Sequence, residues 1–150
     1  MEAIDTLDPM DRLVALRGVP LFAELATEDL ESISAVTSLR RFEPGEVVFA
    51  QGDPGEEMLV VVAGGAEVSR RDGDGRRPIA TVGAGAVVGE LAILRRHTRS
   101  ADVIAGDEGL MGIVIDAGTF ERMIEERPRI AFSLLATMAD RLAETSLLQH

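Results

Sequence analysis

Apolar positions change their spacing twice along the chain, and the two changes divide it into three zones. From about residue 7 to residue 40 the spacing is helical. Leu13, Val14 and Leu16 form a short apolar turn that Gly18 and Pro20 break. Thr27-Glu28-Asp29-Leu30 then opens a second helix. Thr27 suits the N-cap, the acids of the first turn sit at the positive end of the helix dipole, and Leu30, Ile33 and Val36 make the apolar stripe.

From about residue 39 to residue 115, short runs of Val, Ile and Leu alternate with glycine-rich turns. Val47-Val48-Phe49 precedes Gln51-Gly52-Asp53-Pro54-Gly55, and Met58 to Val62 precedes a turn at Gly64-Gly65. Ala66 to Ser69 leads to Asp72-Gly73-Asp74-Gly75, the strongest hairpin signal in the chain. Ile79 to Val82 precedes Gly83 and Gly85, and Ala101 to Ala105 and Leu110 to Ile115 complete the zone. This spacing predicts an antiparallel sandwich or roll, with most glycines serving turn geometry. From Asp116 the pattern is helical again. Ala117 to Glu126 predicts one helix, and Pro128 suits the first position of another. In that last helix Ile130, Leu134, Met138 and Leu142 recur at i, i+4, with Phe132 and Leu135 widening the stripe.

A length of 150 residues fits one domain with its own core. Hydrophobic residues at 46% and charged residues at 27% are globular values. The net charge of −11 argues against binding nucleic acid through a general field, so an anionic ligand requires a local basic pocket. With no Cys and two His, the sequence offers no disulfide framework, thiolate site or His-rich metal centre. It also has no His-x-His, no Ser/His/Asp set and no paired acids placed for catalysis, which argues against an enzyme such as a cupin. The start of the chain does not read as a signal peptide, and runs such as Met58 to Ala63 and Ala84 to Val88 are too short to span a bilayer. The expected location is cytoplasmic, with no membrane partner.

Candidate chemistry concentrates between Val88 and Val103. Gly89-Glu90-Leu91-Ala92 reads as a single helical turn after a glycine, with free backbone N–H groups facing an anion. Gly89 permits close approach to the backbone. Arg95, Arg96 and Arg99 place three guanidinium groups within five residues and supply the required basic pocket. An inward-facing arginine is costly without an anionic partner, and phosphate matches its bidentate geometry. Glu90 is an odd neighbour for a phosphate unless the ligand also carries a ribose hydroxyl for it to accept.

On these residues the chain resembles the cyclic nucleotide-binding domain family over Leu16 to Leu142. Gly89-Glu90-Leu91-Ala92 matches the phosphate-binding cassette, Arg99 falls ten residues after Gly89, and Ala101 and Val103 also match. Gly52-Asp53-Pro54-Gly55, Gly64 and Gly85 fit the glycine framework of the family. The resemblance implies a mainly β fold with flanking helices (α+β): an antiparallel double-stranded β-roll of about eight strands, with N-terminal helices and two C-terminal helices at about 117 to 148, all in one domain. It further implies that Glu90 accepts the ribose 2′-OH, that Arg99 pairs with the cyclic phosphate, and that the Leu91 and Ala92 amides hold the sugar-phosphate. Gly89, Ser100 and Ala101 complete the site, and Arg141 on the last helix caps the purine.

Three departures stand out. Thr98 replaces the usual Pro and loosens the loop. Val88 replaces Phe, a packing change. Asp102 replaces Thr or Ser, and its carboxylate is expected to repel the phosphate or neutralise Arg99, lowering affinity or shaping the site. Arg95, Arg96 and His97 otherwise read as a solvated loop. The implied function is a non-enzymatic regulatory sensor for cAMP or cGMP, with no other cofactor, no metal and closure by the last helix. Two alternatives stand beside it. One is a vestigial roll that acts as a homodimerisation or effector-binding module through the last helix. The other is the effector part of a longer transcription regulator.

Overall fold

The computed structural model describes residues 2–4, 9–19, 22–23, 25–133, 135–136 and 139–140. In chain order the elements are β1 (Glu2–Ile4), α1 (Pro9–Arg17), α2 (Thr27–Ala35), β2 (Ser38–Phe42), β3 (Val47–Phe49), β4 (Glu57–Asp72), β5 (Gly75–Gly83), β6 (Val87–Val88), α3 (Glu90–Arg95), β7 (Asp102–Asp116) and α4 (Ala117–Glu126). Residues 128–133 are helical. The fold is mainly antiparallel β with flanking helices, as the sequence predicts. The short β1, which pairs with β2, was not expected.

Two long strands organise the roll. β4 and β7 run antiparallel from Glu57↔Asp116 to Ser69↔Asp102. Each changes its second partner partway along. β4 pairs with β6 at Leu59 and Val60, then with β5 from Gly65 to Asp72. β7 pairs with β3 at Val103 and Ile104, then with β2 from Leu110 to Val114. The change of partner coincides with register shifts at Val61/Ala63 and Gly64/Ala66, where irregular pairing bends and twists the strands. Gly64 therefore does not form the expected turn. It adopts φ +74 inside β4, and a Cβ there would stand 2.2 Å from the Gly109 carbonyl oxygen of β7. The chain thus has seven strands among the described residues, against about eight expected, because Met58–Val62 and Ala66–Ser69 are one strand and β7 likewise joins two expected runs. The Asp72-to-Gly75 hairpin forms where predicted.

The apolar run from Met58 to Val61 is buried on both faces of the sheet. Met58 and Val60, with Ile113 and Ile115, face the layer of Leu16, Leu30, Ile33, Phe120, Met123 and Ile130 contributed by the helices. Leu59 and Val61, with Val114, face the interior of the roll beside Phe42, Phe49, Val88, Val103 and Leu110.

The helices correct several details. Ala26, not Thr27, is the N-cap of α2, and the Thr27 hydroxyl instead accepts from the Arg17 guanidinium. Val14 and Val36 are exposed, so they stand outside the apolar face. α4 spans the expected residues, with the Asp116 side chain accepting from the Thr119 amide at 2.8 Å as N-cap. In the following helix Ile130 is buried, but Phe132 and Leu135 are 76% and 66% exposed and do not widen the core stripe. Leu134, Met138, Arg141 and Leu142 lie outside the described residues. Among the described residues no helix is long and apolar enough to cross a membrane.

Candidate functional site

Gly89 turns the chain from β6 into α3 with φ +89, a conformation that favours glycine. A Cβ there would also stand 2.6 Å from Arg99 Nη1 and 2.8 Å from the Phe49 ring, so the same glycine makes room for the arginine. The backbone of Arg99 is clamped by the Gly52-to-Gly55 loop. Its N–H donates to the Asp53 carbonyl at 2.7 Å, and its own carbonyl accepts from Gly52 at 2.9 Å. Thr98 bridges Pro54 alongside, so the absence of proline at 98 leaves this loop tied.

The Arg99 side chain is only 6% exposed. Nη1 donates to the Gly89 carbonyl at 2.9 Å and Nη2 to the Glu57 carbonyl at 2.5 Å. The guanidinium carbon lies 3.7 Å from the centroid of the Phe49 ring, a cation–π stack. Burial lowers the Arg99 pKa, and the charges of Glu57, Asp53 and Glu90 oppose that shift. Glu90, in the first turn of α3, is 3% exposed. Two oppositely charged side chains are thus withdrawn from water within one short segment, an arrangement with a high desolvation cost.

Both face a cavity of about 630 Å³, a volume ordinary for a small-molecule site. Its polar side is made by Gly89, Glu90, Arg99 and Ser100. Its other walls are Phe49, Val87, Val88, Ala92, Ala101 and Val103, and the β4–β5 hairpin with Val68, Arg70, Ile79, Thr81 and Val82. The cavity therefore combines a charged end with a broad apolar wall. Among the described residues no three His, Cys, Asp or Glu side chains gather as a metal site.

Of the residues predicted from sequence, Gly89, Glu90, Ala92, Arg99, Ser100 and Ala101 all line this cavity. Leu91 lies in α3, and Arg141 falls outside the described residues. Arg95, Arg96 and His97 are exposed, as the solvated-loop reading expects, so of the three arginines Arg99 alone turns inward and supplies the basic pocket. The reason is local, because α3 ends at Arg95 and the chain leaves it through a left-handed Arg96 at φ 55.

Asp102 overturns the expectation attached to it. Strand neighbours alternate faces, so the Val68–Val103 pair points into the cavity while the Ser69–Asp102 pair points away. The Asp102 carboxylate is 4% exposed. It accepts from the Gln51 amide at 2.7 Å and from Arg71 Nε at 3.0 Å, and it pairs with Arg76 at 3.3 Å. The Gln51 side chain closes the cluster by accepting from the Arg71 N–H at 2.7 Å and donating to the Arg71 carbonyl at 3.2 Å. The Gln51 hydrogen bond, then the Arg71 and Arg76 charges, hold the Asp102 carboxyl below its ordinary range against the opposing effect of burial. Asp102 neither faces the cavity nor neutralises Arg99; it ties the hairpin to the start of β7.

Phe49, Val68, Arg70, Ile79, Thr81 and Val82 were missed by sequence reasoning. A signal existed for two of them: strict alternation through Val68-Ser69-Arg70-Arg71 sends Val68 and Arg70 to one face and Ser69 and Arg71 to the other.

Residues 39–127 match the model of the cyclic nucleotide-binding domain family. The chain is 29% identical over 133 residues to the cyclic AMP receptor protein of Thermus thermophilus, covering 88% of this chain and 61% of that protein. It is 33% identical over 113 residues to a cAMP-dependent protein kinase regulatory subunit of Mycosarcoma maydis, covering 73% of this chain and 22% of that protein. The crystal structure of the Thermus thermophilus catabolite activator protein superposes with a TM-score of 0.78 at 30% identity, over 87% of this chain and 61% of that one. The chain spans between 20% and 61% of the length of six curated relatives that it matches. The matched residues contain the whole β4-to-β7 core, α3 and Arg99, and the chain belongs to the cyclic nucleotide-binding domain family.

Proposed function

We propose that this domain is a non-enzymatic regulatory sensor that binds cAMP or cGMP in the cavity between the β4–β5 hairpin, α3 and β7. The observation that carries the reading is that Glu90 and Arg99, both buried, share the wall of one cavity. A guanidinium has five N–H donors, and Arg99 spends two on backbone carbonyls that fix its plane. The remaining donors pair with the cyclic phosphate, whose charge offsets the desolvated cation. Glu90 accepts from the ribose 2′-OH. The Leu91 and Ala92 amides and the Ser100 hydroxyl add polar contacts, with Gly89 and Ala101 leaving room for the sugar. The purine lies on the apolar wall of Val68, Ile79 and Val82.

Closure by the C-terminal helix, with Arg141 over the purine, belongs to the same proposal, as do a cytoplasmic setting and an output that involves no direct contact with nucleic acid. The relatives named above are longer proteins, which supports a role as the sensing part of a regulator rather than its output. Titration calorimetry of protein freed of bound nucleotide tests the reading. Micromolar or tighter binding of cAMP or cGMP, about −8 kcal/mol or better, is expected. No heat and no thermal shift with either refutes it. The exposure of Phe132 and Leu135 favours a second reading, in which the last helix forms a homodimer or effector surface. Sedimentation of the chain and of its F132S/L135S variant tests it: dimer lost in the variant supports a homodimer, and a monomer in both rejects one.

A further inference from the structure

We propose that Arg70 reads the base of the bound nucleotide and biases the site toward guanine over adenine, an inference that rests on the cyclic-nucleotide reading above. Arg70 lines the cavity from β4, on the same face as Val68. Its Nε donates to the Ser100 carbonyl at 3.2 Å, which anchors the guanidinium beside the cassette and leaves the terminal N–H groups for a ligand. The two inward arginines serve different ends of the cavity. Arg99 reaches back to the Gly89 and Glu57 carbonyls, at the start of β4, whereas Arg70 stands two residues before the end of that strand. A nucleotide with its phosphate on Arg99 and its ribose on Glu90 extends its base toward the hairpin, where Val68, Ile79 and Arg70 meet it.

The backbone that presents Arg70 is held from behind. Arg71, its neighbour on the opposite face, is bound through its side chain to Asp102 and through its backbone to the Gln51 amide. Arg70 is thereby offered to the cavity on a fixed strand. A guanidinium only donates. Guanine presents two adjacent acceptors, O6 and N7, whereas adenine sets an amino donor beside N7. Donor facing donor leaves one adenine edge unpaired, so Arg70 favours the guanine nucleotide.

The test is calorimetric titration of the full chain with cGMP, cAMP and cIMP, the last of which keeps O6 and N7 but lacks the 2-amino group. The wild type is expected to bind cGMP and cIMP about tenfold or more tightly than cAMP. In R70M the preference collapses, because cGMP loses two hydrogen bonds and cAMP only the one to N7, so cGMP affinity falls the more. In R70Q it swings toward cAMP, because an amide matches the adenine donor–acceptor edge. Thermal melts of both variants confirm that they are folded. Wild-type cAMP binding as tight as cGMP binding overturns the proposal. So does an equal loss of both nucleotides in R70M, which places Arg70 on the phosphate and leaves the cyclic-nucleotide reading intact. Binding of none of the three overturns both readings together.

Discussion

Replacing Asp102 distinguishes a carboxylate that opposes the phosphate from one that holds the fold. In D102A the Gln51 amide loses its acceptor at 2.7 Å, and Arg71 and Arg76 lose an ion pair. Breaking a buried, hydrogen-bonded ion pair costs about 3–5 kcal/mol. Here the arginine side chains are 51% and 43% exposed and rehydrate, so the expected loss is nearer 2–3 kcal/mol. D102N keeps an acceptor for Gln51 and loses the charge, at a cost of about 1 kcal/mol. Urea unfolding at neutral pH reads both, with the m-value unchanged. The pH dependence has a definite sign. The carboxyl pKa in the fold lies below its unfolded value, so the contribution is complete above about pH 4 and is lost as the pH falls through the folded value. The stability gap between wild type and D102N should therefore close in acid. Nucleotide binding by D102T should be unchanged or weaker. A D102A variant within about 0.5 kcal/mol of wild type, or tighter binding by D102T, refutes the assignment.

Gly89→Ala should lower stability by about 1–3 kcal/mol and weaken nucleotide binding, since its Cβ meets Arg99 and Phe49 at a φ of +89; thermal melts and titrations that match wild type contradict this. Arg99→Ala should cost about 3 kcal/mol or more of binding energy and Glu90→Ala about 1–2, because the first strands a phosphate charge and the second a neutral hydroxyl. Calorimetry checks that order, and equal, negligible losses place the ligand elsewhere. Asp116→Ala should cost about 1 kcal/mol in urea unfolding and Thr27→Ala a few tenths, since only the first is a side-chain cap; equal costs reject the cap assignment.

Local signals were legible where nothing distant competes with them. The Asp72-to-Gly75 turn, the Asp116-capped α4 and the Gly89-to-Ala92 turn each follow from neighbouring residues alone. Gly64 was misread because a glycine that bends a strand and one that ends it look alike, and the difference lies in the approach of Gly109 from 45 residues away. Asp102 was misread because its face depends on register with Ser69, which a count from Arg99 does not reveal. Arg70 escaped notice for the same reason, since its meaning rests on which of two adjacent arginines points inward. The solvated-loop reading of Arg95, Arg96 and His97 holds, because α3 ends at Arg95 and all three face solvent.

The central claim, that this cavity holds a cyclic nucleotide with its ribose on Glu90, is tested most directly by a cycle across the contact itself. The affinities of wild type and E90A are measured for the cyclic nucleotide and for its 2′-deoxy analogue. If the buried carboxylate accepts from the 2′-OH, removing the hydroxyl weakens binding to wild type and leaves E90A indifferent, with a coupling of about 1–2 kcal/mol. Losses that simply add, with no coupling, contradict the placement of the ribose at Glu90 and with it the account of the site.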